Sequence, residues 1–315
     1  MTPLRIGTRG SALALAQAGA VAELIADAAG VACELVPVTT SGDRGRLLGD
    51  KSRWVKELEA ALLAETIDVA VHSAKDLPAE LPAGLELAAV PPRADARDAL
   101  VGAPSLDALA PGAVVGTSSL RRAAELRALR PDLDVVALRG NVDTRLRKRA
   151  EGQAAAIVLA VAGLERLGRG DEVDAVLDEL VPAPGQGALA LEVRAGDGAA
   201  RDAATAIGDR DAEACVAAER ALVRRLGATC HTPLGAHAVR RDDGGLSLRA
   251  FVGLPDGSTW LRDELTAAAG IDPETFGVAA ATRLAAAGAA ELLAAAEAAG
   301  AGSPPPASTP DGVRL

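Results

Sequence analysis

Four groups able to do chemistry, His72, Ser73, Lys75 and Asp76, follow directly on an apolar run in the stretch Ile67 to Pro78, IDVAVHSAKDLP. The run Ile67 to Val71 reads as a buried strand, and Pro78 ends the segment. Ligands in open α/β sheets sit beyond the carboxyl ends of strands. A carboxylate and an ammonium at such an edge could bind a ligand or move a proton. Taken alone, neighbouring Lys and Asp are more often a solvated ion pair of little energetic weight. What the rest of the chain brings to that edge decides between the two.

It brings cations. Arg9, Ser11, Ser119, Arg121, Arg122, Arg139, Arg145 and Arg166 all fall, like Lys75 and Asp76, in loops or first helical turns after a predicted strand. From Ser118 to Arg149 nine Arg or Lys face four acids, although the whole chain carries a net charge of -10. A local reversal of sign on an acidic protein points to a small anionic ligand, whereas a nucleic-acid binder is basic over a broad face. A solvated, arginine-rich helix surface is equally compatible with the count. Guanidinium forks accept carboxylates in bidentate fashion, so converging arginines suit a ligand with several carboxylates. Asp76 is the exception. One acid among cations stays ionised and can hold a cation or an N–H group.

Cys230 lies on a loop after a helix and is either a covalent tether or an ordinary buried thiol. His72, His231 and His237 lack metal-ligand spacing, and Cys33, Cys215 and Cys230 form no C-x-x-C pair. Neither a metal nor a disulfide framework is expected.

The elements that must position these groups follow from the pattern. Leu4 to Thr8 reads as a strand, and Ser11 caps a helix from about Ala12 whose free N–H groups make an anion site beside Arg9. Cys33 to Thr39 is a strand, Thr40 to Ser52 a mobile polar loop over the strand ends, and Trp54 to Glu65 a helix. Strands at Ala113 to Gly116, Val135 to Leu138 and Ala155 to Val161 each meet a polar turn or a helix start. Gly7-Thr8 recurs as Gly116-Thr117, Val36 as Val136, and Ala70-Val71 as Ala160-Val161, at separations of 109, 100 and 90 residues. This is a weak internal repeat of βα units, and it predicts two similar domains with their strand ends facing a cleft. Leu180 to Gly187 and a strand at Leu189 to Val193 return the chain to the first domain as a hinge segment.

A helix over Asp211 to Leu226 ends at Gly227. Alternating strands with turns at Asp242 to Gly245 and Pro255 to Ser258, then an Ala-rich helix from Pro273, make a third, α+β domain. The expected domains are 1–92 with 187–205, 97–182, and 210–300, followed by a Pro- and Ser-rich tail, 301–315, without structure.

At 315 residues and 49% hydrophobic content the chain can bury two or three cores. Aromatics are 1%, so stacking platforms for bases are absent and a nucleic-acid partner is not expected. The chain enters a strand without an apolar signal segment, and no uninterrupted apolar run approaches the ~18 residues of a membrane helix. A cytoplasmic protein without membrane contact is the expectation.

The motifs RIGTRGSALALAQA at Arg5, WVKELE at Trp54, HSAKDLP at His72, VGTSSLRR at Val115, LRGNVDTRL at Leu138, AVAGLERLG at Ala160, PGQGA at Pro184 and ATCHTPLG at Ala228 together resemble the porphobilinogen deaminase (hydroxymethylbilane synthase) family. So many matches, in order and each at a strand end, are specific, and they span the chain to about residue 298. The resemblance implies an α/β fold: two similar doubly wound domains of periplasmic-binding-protein type II (transferrin-like) architecture plus a small α+β C-terminal domain. It implies a monomeric transferase of porphyrin and heme biosynthesis that condenses porphobilinogen into a linear tetrapyrrole with loss of ammonia. Its cofactor, a dipyrromethane, is joined by a thioether to a cysteine placed at Cys230. By the same resemblance Asp76 is the catalytic carboxylate. Ser73, Lys75, Thr117, Ser119, Arg121, Arg122 and Arg166 hold the cofactor, and Arg9, Ser11, Gln17, Lys51, Arg139 and Arg145 the incoming substrate. The segment Gly45 to Trp54 is more compact than the family's glycine-rich lid, Asp143 adds a negative charge to the arginine-rich turn, and His231 follows the tether cysteine. A non-enzymatic two-lobed carboxylate-binding protein or regulator domain shares the cleft and arginines but needs no tethered thiol.

Overall fold

The structure, a computed structural model, describes residues 2–38, 53–229, 232–300 and 311–314. The chain begins with β1 (Leu4–Arg9), α1 (Ala12–Ala29), β2 (Cys33–Val38), α2 (Arg53–Leu63), β3 (Val69–Ser73) and β4 (Leu85–Ala89). It crosses to β5 (Asp98–Val101), β6 (Val114–Gly116), α3 (Leu120–Leu129), β7 (Asp134–Val136), α4 (Val142–Ala150), β8 (Ala156–Ala160), α5 (Val161–Arg166) and β9 (Ala175–Leu177). Then come β10 (Leu189–Arg194), α6 (Gly198–Thr205) and α7 (Arg210–Leu226). β11 (Leu234–Arg240), β12 (Leu246–Gly253), β13 (Thr259–Ala267), α8 (Pro273–Ala286), α9 (Ala289–Gly300) and β14 (Asp311–Arg314) complete it.

Two units result, one of residues Met1–Ala94 with Gly187–Val216, the other of Asp95–Gln186 with Ala217–Leu315. Each holds a five-stranded sheet of the same design: β2-β1-β3-β10-β4 in the first, β7-β6-β8-β5-β9 in the second. The first three strands of each are parallel, and the fourth, supplied after a crossover, is antiparallel to both neighbours. This is the periplasmic-binding-protein type II arrangement, and it makes the chain α/β.

The register shows why the repeat was visible. Gly7 pairs with Val36, and Gly116 with Val136. A Cβ on Gly7 would run into Ile67 Cδ1, and one on Gly116 would lie 2.9 Å from Leu138 Cδ2. Ile67, just before β3, and Leu138, just after β7, lie over β1 and β6 where a glycine leaves room. The third expected match slips by three: Gly7 faces Ala70, but Gly116 faces Ile157 and not Ala160.

In the first unit α1 covers one sheet face with Ala18, Val21 and Ile25, and α2 covers the other with Leu58 and Leu62. α1 has 18 residues and a mean hydropathy of 1.4, long and apolar enough to cross a membrane, although it holds no uninterrupted apolar run of that length. Gln17, Glu23 and Asp27 interrupt it, and its apolar stripe packs on the sheet.

The expected third domain is present but does not separate from the second unit. β11, β12 and β13 form an antiparallel meander with β14 parallel to β13. Arg127 of α3 donates to Pro255 O at 2.6 Å, and Phe251 and Trp260 pack with Ala124 and Val181. Asp311–Arg314, inside the tail expected to lack structure, is a strand; residues 301–310 lie outside the described residues. The Ala-rich helix is two helices bent by 76° at a break that contains Gly288, φ 99°.

Gly277 in α8 gives a sharp test of this packing. A Cβ there would collide with Ala218 O and lie 2.9 Å from Ala221 Cβ. Gly277→Ala gains ~1 kcal/mol of helix propensity but overpacks an interface at a cost of about 1–3 kcal/mol. A net loss, read as a lower urea midpoint at unchanged slope, is expected.

Candidate functional site

In the first unit the site is built where β1 and β3 run out. β1 ends at Arg9, and Ser11 caps α1, its Oγ accepting from Ala14 N at 3.3 Å. Buried Thr8 donates its hydroxyl to Ala14 O at 3.0 Å and ties the strand end to the helix start. β3 passes through Ser73 into a single 3-10 turn, Ala74–Asp76, closed by Leu77 N donating to Ala74 O at 3.2 Å. Ala74 N donates to Ala188 O at 3.0 Å and anchors the turn. The turn presents Lys75 and Asp76 beside Arg9 and Ser11. One pocket is lined by Arg9, Ser11, Gln17, Ser73, Lys75 and Asp76 together with His72 and the apolar Leu13, Ala14, Val55 and Val71. Its charged groups are two cations and one carboxylate, which suits an anionic ligand that also carries N–H groups.

Beneath the pocket is a group that the sequence did not reveal. His72 Nε2 is 3.0 Å from Glu192 Oε2, and both side chains are buried. Glu192 faces Ala70 across the antiparallel β3–β10 pair, so it meets His72 on the diagonal. Glu59 of α2 is buried too, and its carboxyl is pushed up by burial and then by Glu192. The two partners are 120 positions apart in sequence, out of reach of any local signal.

In the second unit Thr117 Oγ1 accepts from Ser119 N at 3.2 Å, and Ser119 caps α3 by accepting from Arg122 N at 3.4 Å. Arg121 and Arg122 are buried at 3% and 5% exposure, so they are not surface cations. Asp98 receives Arg121 Nη1 at 2.7 Å, and Arg122 Nη2 at 2.7 Å and Nε at 3.0 Å. Arg121 Nη1 also donates to Glu125 Oε2 at 2.9 Å and to Val181 O at 2.7 Å. Burial raises the Asp98 carboxyl, but the two guanidiniums overcome it and hold the group well below the usual range. Glu125 goes the other way: burial outweighs Arg121 and pushes its carboxyl up to about 7.

Arg139 is exposed after β7, and Asn141 caps α4 by accepting from Thr144 N at 2.9 Å. Arg145 Nε donates to Gly140 O at 2.7 Å. Asp143, the added acid, pairs with Arg169 at 2.6 Å. Arg166 is the last residue of α5, partly buried, and burial lowers its pKa. Each unit thus gathers its own subset of the expected groups. Lys51, Cys230 and His231 lie outside the described residues, as does the whole of the loop, Thr40 to Ser52, expected over the strand ends. Among the described residues no group of three His, Cys, Asp or Glu could hold a metal.

Comparison with known proteins bears on these motifs directly. The family model "Porphobilinogen deaminase, dipyromethane cofactor binding domain" matches residues 4–202, and "Porphobilinogen deaminase, C-terminal domain" matches residues 213–286. The chain belongs to the porphobilinogen deaminase family. A porphobilinogen deaminase of Thermus thermophilus is 49% identical over 265 residues, covering 82% of this chain and 88% of that one. Another, of Thiobacillus denitrificans, is 47% identical over 296 residues, 91% and 96% of the two chains. The methionine binding protein MetQ aligns with a TM-score of 0.44 at 16% identity, covering 67% of this chain and 91% of that one. The deaminase match to residues 4–202 contains the pocket and the α3 cluster, and the second match contains position 230.

The donors fit the family's cofactor. Arg121 Nε is buried and has no acceptor among the described residues. A buried guanidinium donor without a partner is costly, and a ligand carboxylate is the acceptor that its planar edge is shaped to take.

Proposed function

We propose that this enzyme is a transferase, hydroxymethylbilane synthase. It condenses porphobilinogen units head to tail on a covalently bound dipyrromethane, with release of ammonia and, after hydrolysis, of the linear tetrapyrrole hydroxymethylbilane. The observation that carries the reading is the first unit's pocket, in a chain of this family: Asp76 is the one carboxylate in a wall that also holds Arg9 and Lys75.

Arg9, with the hydroxyl of Ser11 and the amide of Gln17, receives the carboxylates of the incoming substrate, assisted by Arg139, Arg145 and Lys51. Asp76 accepts hydrogen bonds from pyrrole N–H groups and steadies the positive charge that develops on the substrate as ammonia departs, an electrostatic role for a pre-positioned carboxylate. It also takes up the proton that carbon–carbon bond formation releases. When bound, the dipyrromethane supplies the pyrrole carbon from which the product chain grows. The residues that would hold it are Cys230 through a thioether, Ser73, Lys75, Thr117, Ser119, Arg121 and Arg166 through its carboxylates, and Arg122, whose nitrogens are taken up by Asp98 and Val158 O, through its charge beside Arg121. The enzyme works as a cytoplasmic monomer on a small molecule, with no nucleic-acid or membrane partner.

Intact-mass measurement separates this reading from a reversible carboxylate-binding protein. The purified chain is expected to exceed its 31.6 kDa sequence mass by one dipyrromethane, and Cys230→Ser to lose the excess. A wild-type mass equal to the bare sequence would reject the reading.

A further inference from the structure

Asp98, at the start of β5, is fully buried and touches both of the buried arginines of α3. The two guanidiniums are used differently. Every nitrogen of Arg122 has an acceptor: Nε and Nη2 on Asp98 Oδ1, at 3.0 and 2.7 Å, and Nη1 on Val158 O at 3.0 Å. Arg121 gathers Asp98, Glu125 and Val181 O on Nη1 alone, while its buried Nε donates to nothing among the described residues. A fold that needed the cluster solely for its own cohesion would gain by using that donor, since buried polar groups are almost always satisfied. Asp98 is itself fixed, receiving Gln186 Nε2 at 2.7 Å, and the same amide nitrogen donates to Ala96 O at 2.7 Å.

We propose that Asp98 is a positioning residue for the cofactor: it pins Arg121 through Nη1 so that the opposite, Nε edge is presented to a carboxylate of the dipyrromethane. The proposal rests on the function assigned above. Asp98 touches no ligand; it acts through Arg121 and sets Arg122 beside it. Its negative charge also offsets one of the two guanidiniums, so the cluster can exist in the interior before a ligand carboxylate arrives.

The experiment compares full-length wild type, Asp98→Asn and Asp263→Asn. Asp263 is a control from the same unit, a buried carboxylate that receives Arg283 Nε at 2.8 Å and Nη2 at 3.0 Å. Two readouts are taken by intact mass: the fraction of purified chain that carries the added mass, and the rate at which cofactor-free chain gains it on incubation with porphobilinogen, the substrate from which the family resemblance implies that the dipyrromethane is made. Outer-shell partners that orient metal ligands are worth about 10–100-fold, and a loading rate reduced by a factor of that order is expected for Asp98→Asn, since Asp98 orients a cofactor-contacting arginine in the same manner. Asp263→Asn should lower the melting temperature yet load at the wild-type rate. Folded Asp98→Asn that loads like wild type, or a loading loss equal in both variants, overturns the proposal. If Asp98→Asn does not fold, Asp98→Asn/Arg122→Gln restores the charge balance; it should fold and load more slowly than Arg122→Gln, and loading no slower than Arg122→Gln overturns the proposal. Wild type that gains no mass rejects the function itself, a different failure.

Discussion

Asp76→Asn should lower kcat by about 10²–10⁴-fold, the range for removing a placed acid–base group, with little change in KM and a small change in the melting curve. The amide keeps an oxygen that can accept from a pyrrole N–H, so ground-state binding survives; what disappears is the charge that opposes the cation formed as ammonia leaves. A loss confined to kcat is the signature of an interaction made in the transition state. Folding is spared because the turn is held by its backbone, through Leu77 N on Ala74 O and Ala74 N on Ala188 O. The contrast is Asp68, another aspartate of this unit, whose carboxylate receives Arg5 Nη2 at 2.6 Å and Arg194 Nη2 at 3.2 Å. Asp68→Asn should cost stability and leave kcat alone. Steady-state kinetics and thermal melts of both variants decide the matter, and near-normal turnover by Asp76→Asn would exclude the role.

The place of that aspartate, on a turn at the end of β3, was readable in the sequence because its signals are local. An apolar strand, a polar exit and a proline mark the β3 turn within twelve residues, and Ser11 and Ser119 announce their helices as caps do. The same reading left Arg121 and Arg122 open between a solvated helix surface and a ligand-binding cluster, and the resemblance placed them at the cofactor; their burial was not foreseen. Their counter-charges come from Asp98, 23 and 24 positions upstream, and from Glu125 on the next turn of α3. A sequence discloses neither burial nor the partner that makes burial tolerable. The His72–Glu192 pair escaped for the same reason. The slipped third repeat and the broken Ala-rich helix have another cause: runs of Ala and Val fit a strand in several registers, and a lone Gly in a helical pattern does not announce a break. The third domain's attachment to the second unit depends on single contacts, such as Arg127 to Pro255 O, that have no sequence signature.

Arg122→Leu is the largest stability change to be expected, about 3–5 kcal/mol near neutral pH, the usual cost of removing one partner from a buried ion pair. An exposed pair such as Arg147–Glu151, at 3.5 Å, is worth no more than about 1 kcal/mol. The variant leaves Asp98 with one guanidinium, Arg121, which it shares with Glu125, while Glu125 keeps Arg262 at 3.5 Å; one positive charge beside the buried pair is lost. In the wild type Asp98 titrates below its ordinary value, so its share of stability is present above pH 3.8 and is lost as pH falls through the lower folded value. Glu125 behaves oppositely: with a folded pKa of about 7 against 4.5, the folded state holds the extra proton, and stability declines as pH rises through that window. Without Arg122 both carboxyls lose a favourable neighbour and both folded values move up. The variant therefore binds more protons when folded than when unfolded, and its deficit against wild type shrinks on acidification, being greatest above pH 7 and least near pH 5. A cavity or a lost packing contact would cost the same at every pH. Urea titrations of both proteins across that range distinguish the causes, and a deficit that stays constant with pH would show that the arginine acts through its bulk and not through its charge.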